Sequence, residues 1–72
     1  MKRVKLIEIN IDENMKINEF KYIIVTNNEG SVEISELRTY SINEPNFVYN
    51  VDDSMSIFNY IEGFSQEILD NS

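Results

Sequence analysis

Apolar and polar residues alternate along most of the first fifty positions, and then the apolar residues change to a spacing of three and four. A period near two is that of a half-buried strand and a period near 3.6 that of an amphipathic helix, so the change divides the chain into a β part and an α part. Val4 to Ile11 is rich in β-branched residues, with Ile7, Ile9 and Ile11 in alternation, and reads as a strand. Val4 and Leu6 have the opposite parity, which predicts cover on both faces near the start of the strand, or a bulge. Residues 12–19 are polar and turn-rich and read as a loop. Phe20 to Thr26 is a second strand, with Phe20, Tyr22 and Ile24 on one face and Ile23 and Val25 on the other. Asn27-Asn28-Glu29-Gly30 supplies residues that tolerate positive φ, as a tight hairpin requires. Ser31 to Leu37 then alternates, placing Val32 and Ile34 inward and Glu33 and Ser35 outward.

Arg38 to Ile42 continues that strand or bends away from it. Pro45 keeps Glu44 out of helical geometry, so residues 43–46 form a turn. Phe47, Tyr49 and Val51 alternate as a fourth strand. Asp52, Asp53 and Ser54 offer caps and favourable charge for a helix start. Ile57, Ile61, Phe64 and Ile68 stack on one face of that helix, with Glu62, Gln66, Glu67 and Asp70 elsewhere on it and Gly63 in its interior. The predicted fold is α+β: a four-stranded, mostly antiparallel sheet followed by one C-terminal helix packed on it, a single domain over residues 1–72.

At 72 residues the chain must stabilise a small core. It has no cysteine and no histidine, so neither a disulfide nor the usual zinc site can help. A well-packed core or a second copy of the chain remains, and a homodimer would bury the marginal aromatics Phe58 and Tyr60 first. The start, Met-Lys-Arg-Val-Lys, resembles the basic region of a signal peptide, but Glu8, Asn10 and Asp12 interrupt any apolar stretch behind it. No apolar run approaches the ~20 residues that span a bilayer, so a cytoplasmic protein is expected. Isoleucine and asparagine are abundant and alanine is missing, a skew that AT-rich coding produces and that suggests a low-GC bacterium or its phage.

Charge narrows the partners. The net charge is −7. Residues 1–38 hold all six basic and seven acidic side chains; residues 39–72 hold Glu44, Asp52, Asp53, Glu62, Glu67 and Asp70 and no basic residue. Such a field repels phosphate backbones and anionic headgroups, which excludes direct nucleic-acid and membrane binding and favours a protein with a basic surface.

Catalysis finds little support. General acid–base work most often uses histidine and thiol chemistry needs cysteine; the serines lack a partner base, and Gly30 and Gly63 stand too far apart for a phosphate loop. Asp52 and Asp53 are better explained as capping groups than as a catalytic pair. The oxygen-rich runs Asp52–Ser56 and Asp12–Asn14 lack the ligand alternation of a calcium loop, so no metal or other cofactor is expected.

The remaining candidates are surface carboxylates. Glu62, Glu67 and Asp70 on the helix, with Asp52 and Asp53 at its start, can present acids at phosphate-like spacing, and Glu29, Glu33 and Glu36 form a second acidic stripe near the hairpin. With Tyr60 at the edge of the apolar stripe, these are the expected partner-binding residues, suited to the Arg and Lys of a nucleic-acid-binding groove. Tyr22, Phe47 and Phe64 read as core, and Tyr40 falls in the segment that continues or bends.

The stretch Ile-Ile-Val-Thr-Asn-Asn-Glu-Gly-Ser-Val-Glu-Ile-Ser-Glu, residues 23–36, resembles the strand–turn–strand of small acidic phage anti-CRISPR proteins, and size, charge and coding bias are similar to theirs. The resemblance covers about a fifth of the chain and implies a class of function only: a stoichiometric inhibitor of a host nuclease that occupies a DNA- or PAM-reading groove. The expected function is thus a small acidic inhibitor encoded by a phage or mobile element, blocking a defence nuclease or another nucleic-acid-binding protein. An immunity protein or antitoxin that neutralises a toxin, and a structural homo-oligomer, are the alternatives.

Overall fold

In a computed structural model, which describes residues 1–71, the longest strand is the spine of the fold. The elements run β1 (Lys2–Ile11), β2 (Ile17–Asn28), β3 (Ser31–Ile34), β4 (Arg38–Ser41), α1 (Ser54–Glu62) and α2 (Ser65–Asp70). β1 lies along one edge of β2, while β3 and β4 share its other edge end to end, β3 opposite Val25–Asn28 and β4 opposite Glu19–Tyr22. Every pairing is antiparallel. The α+β fold read from the sequence is the fold observed: a four-stranded sheet with a helical segment after it.

The parity conflict in β1 is resolved by a bulge. Leu6 pairs with Tyr22 and Glu8 with Lys21, so Ile7 is an extra residue. The insertion turns Ile9 onto the face that already carries Val4 and Leu6, and it leaves Ile7 50% exposed. Between β1 and β2, Asp12 organises the turn: its Oδ1 accepts the N–H groups of Asn14 and Lys16, and Met15 takes a positive φ of 63°. β2 therefore begins at Ile17, inside the segment expected to be loop.

The β2–β3 hairpin closes through Glu29 (φ 45°) and Gly30 (φ 89°), two consecutive positive-φ residues as in a type I′ turn. At Gly30 the backbone lies where a side chain is strained, which explains its identity. Val32 and Ile34 alternate as expected but face the wrong way for the core. They pair with Asn27 and Val25, on the side of β2 opposite Phe20, Tyr22 and Ile24, and are 61% and 64% exposed. Between β3 and β4 the strand steps outward, and the Ser35 hydroxyl fills the gap. Ser35 donates its N–H to the Ile24 carbonyl (2.9 Å) and accepts the Ile24 N–H on Oγ (2.8 Å).

The fourth strand is Arg38–Ser41, not residues 47–51. With β4 already bonded along β2, the later segment reaches only the start of that strand: Phe47 accepts from Ile17, Tyr49 donates to Met15, and Lys16 and Val48 form an isolated bridge. Helical residues 54–70 are interrupted at Gly63–Phe64, so Gly63 ends α1 instead of lying inside one helix. Ile57, Ile61 and Ile68 still point inward, onto Ile17, Phe20, Tyr22 and Ile24. Phe64 moves to the rim of this core.

Candidate functional site

Segregation of charge follows from this layering. The six basic residues sit on β1 (Lys2, Arg3, Lys5), in the turn before β2 (Lys16), on β2 (Lys21) and on β4 (Arg38). The segment from Ile42 onward, which covers one face of the sheet, carries six carboxylates and no cation. The helical segment itself is therefore anionic, bordered by Arg3 and Lys5 beside Glu62 and by Lys16 beside Val48.

On that face of the sheet the rings form a continuous run. Tyr40 stacks on Phe20 (centroids 5.3 Å apart) and touches Phe64 (5.0 Å); Phe64 meets Tyr60 edge-on (5.2 Å), and Tyr60 stacks on Phe47 (4.6 Å). Contacts of this kind contribute about 0.5–1.5 kcal/mol each beyond the area they bury. The Tyr40 hydroxyl donates to Glu67 Oε2 (2.5 Å), tying α2 to β4. That bond, aided by partial burial and the carboxylate's charge, pushes the Tyr40 phenol up to about 12. Burial alone pushes Tyr60 up. Tyr40, Tyr60 and Phe64 wall an open cavity of about 470 Å³ whose rim carries Glu44, Asn43 and Asn46. An aromatic wall beside a carboxylate suits an organic cation such as a lysine or arginine head group.

The expected site residues are exposed carboxylates, but they are not gathered in one place. Asp53 caps α1, accepting the Ser56 N–H on Oδ1 (3.2 Å), and Asp52 stands exposed beside it. Glu62, at the end of α1, faces Arg3 and Lys5 across a cleft beside β1. Glu67 is held by Tyr40, and Asp70 accepts from Gln66 Nε2 (2.8 Å). Glu29 sits in the hairpin turn and Glu33 on β3 opposite Thr26. Glu33, opposite Thr26, lines a different cleft from Glu62, with Lys2 and Arg38 in place of Arg3 and Lys5. Among the described residues no three acidic side chains converge as a metal-holding group. Tyr60 does border the cavity, as an interface aromatic should.

Sequence reasoning missed Tyr40 and Glu44 as part of this surface. Tyr40 has the parity of a strand residue within Arg38–Ile42, but only its pairing with Phe20 reveals which face it takes. Among the described residues no helix is long and apolar enough to cross a membrane. Comparison with known proteins gives no match: no family model, no curated protein and no solved structure is similar to the chain.

Proposed function

We propose that the chain acts by binding: a small acidic inhibitor, encoded by a phage or mobile element, that covers a basic nucleic-acid-reading surface on a host defence protein in the bacterial cytoplasm. The observation that carries this reading is the anionic helical segment, six carboxylates with no cation from Ile42 onward. The cavity walled by Tyr40, Tyr60 and Phe64 adds a specific seat for one arginine or lysine of the partner. Paired with surrounding acids, such a seat gives orientation as well as attraction. The resemblance of residues 23–36 to small acidic phage anti-CRISPR proteins supports a nuclease as the class of partner. An immunity protein facing a basic toxin would use the same surface.

Competition tests it. With a partner recovered from host lysate and purified, the protein should displace DNA or RNA from that partner at a stoichiometry near one to one. Glu44→Gln and Tyr60→Ala should each weaken the displacement. A partner that holds nucleic acid and this protein at the same time, with neither affecting the other, contradicts the reading.

A further inference from the structure

β1 has one bonded edge and one bare edge. β2 pairs along the first, and among the described residues no strand lies along the second. Which residues turn toward the bare edge follows from β2. Ile24 bonds with Ser35 and Asn18 accepts from Ile42, so residues of that parity face β3 and β4; Asn27, which donates to Met1, faces β1. Alternation along the ladder then directs Arg3 and Lys5, opposite Val25 and Ile23, toward β2. Lys2, Val4 and Leu6 present their N–H and C=O groups outward. The bulge at Ile7 ends that register, so the open ladder runs from Lys2 to Leu6.

Side chains beside this edge divide by face. On the helix side, Val4 and Leu6 of β1 with Phe58 and Ile61 of α1 line a cleft of about 400 Å³. Phe58 is 56% exposed and Val4 and Leu6 are half-buried, so the apolar wall is open to solvent. On the opposite face, Arg3 and Lys5 follow one another at the two-residue period, roughly 7 Å apart. Neither has a counter-ion. Among the described residues the only ion pair is Lys21 with Glu8 (3.7 Å), which occupies the one carboxylate of β1. Glu62 stands on the far wall of the cleft without pairing with them. Lys2, Arg3 and Lys5 are half of the chain's six cations, so an otherwise acidic chain is locally positive along this edge.

We infer that the bare edge of β1 binds an extended acidic segment of a partner protein, added to the sheet as a further strand. The main-chain groups of Lys2, Val4 and Leu6 supply the ladder, and the alternation of a strand supplies the selectivity. Residues of the segment opposite Val4 and Leu6 fall on the helix side, where the cleft favours apolar side chains and Glu62 repels acidic ones. Residues opposite Arg3 and Lys5 fall on the other face, where carboxylates meet two cations that nothing neutralises. The pattern selected is thus apolar and acidic residues in alternation. Charge tells against a second β1 in this place, since its three cations would meet three more. An open ladder of three outward residues is short and suits a reversible contact. The site shares no residue with the cavity at Tyr40, Tyr60 and Phe64.

A synthetic peptide of alternating valine and glutamate probes the whole chain, with the matching valine–lysine peptide as control. The glutamate peptide should bind about tenfold or more tightly than the lysine peptide. At saturation it should slow amide hydrogen exchange at Val4 and Leu6 by about tenfold or more, and change little at Arg3 and Lys5, which already bond to β2. Arg3→Glu with Lys5→Glu should reverse the preference between the two peptides. Val4→Pro removes an outward N–H, where an edge strand tolerates proline, and should abolish binding. If that variant fails to fold, the charge reversal decides alone. Glu44→Gln, at the separate cavity, should leave peptide binding unchanged. No binding of the glutamate peptide at millimolar concentration, equal binding of the lysine peptide, or binding that leaves the Val4 and Leu6 amides exchanging freely overturns the proposal. So does protection of those amides that grows with protein concentration alone, which would give the edge to a second copy.

Discussion

Tyr40→Phe removes one oxygen and leaves the ring where it is, between Phe20 and Phe64. The change isolates the bond from the Tyr40 hydroxyl to Glu67, which joins α2 to β4 across the open side of the core. A hydrogen bond to a charged acceptor contributes about 1.5–3 kcal/mol when shielded. Glu67 is exposed, so solvent screening brings the expected loss to about 1 kcal/mol. The raised phenol adds a dependence on pH whose sign is fixed. Folding holds the Tyr40 proton more tightly, with a pKa near 12 against 10.0 ordinarily, so the folded state binds more protons between those values. The contribution is therefore complete below pH 10 and is lost as pH rises through 12. Urea unfolding of wild type and Tyr40→Phe from pH 7 to 11.5 measures it. The gap should be constant up to about pH 9.5 and shrink above that. Tyr60, raised by burial, titrates in both proteins, and its charge further raises Tyr40 in the wild type alone. In the Tyr40→Phe background, Glu67→Ala should cost about 1 kcal/mol less than in wild type. Equal stabilities at pH 7, or a gap that widens above pH 10, would refute the reasoning.

Three further changes probe the local devices of the fold. Ser35→Ala removes the acceptor of the Ile24 N–H at the gap between β3 and β4, and should cost about 1–3 kcal/mol by urea unfolding. Glu29→Asn places a residue suited to positive φ in the hairpin turn and should stabilise by about 0.5–1 kcal/mol, a rise of several degrees in Tm. Asp53→Ala removes the α1 cap and should cost about 1 kcal/mol, whereas Asp52→Ala, whose side chain makes no cap, should change stability by less than about 0.5 kcal/mol in the same assay.

Local pattern was enough for the elements whose partners lie nearby. The hairpin turn at Glu29–Gly30 and the inward stripe Ile57–Ile61–Ile68 follow from spacing and turn chemistry alone. Features that depend on distant pairing were illegible. Which way Val32 and Ile34 face is set by their register against β2, and a register is invisible to alternation, which is the same on both faces. Phe47, Tyr49 and Val51 have a strand's alternation but find no free edge along β2, because β4 has taken it. The bulge at Ile7 was half legible, since Val4, Leu6 and Ile9 agree in face only if a residue is skipped. Among the surface acids, exposure was readable but grouping was not. Glu67 meets Tyr40 and Glu62 faces Arg3 and Lys5 only because of how the helices cross the sheet.

The central claim is that the anionic helical side docks on a basic surface, and salt tests it most directly. Association with the purified partner should be electrostatically steered, so its rate should fall by about tenfold or more between ~30 and ~300 mM salt, as the Debye length shortens. Glu62 and Asp70 are exposed and take no part in the Tyr40 bond, so Glu62→Gln with Asp70→Asn should leave the fold unchanged. The same pair should lower the association rate and flatten its dependence on salt. A rate indifferent to salt, and identical in the double variant, would mean that the carboxylates serve only as a solvated face.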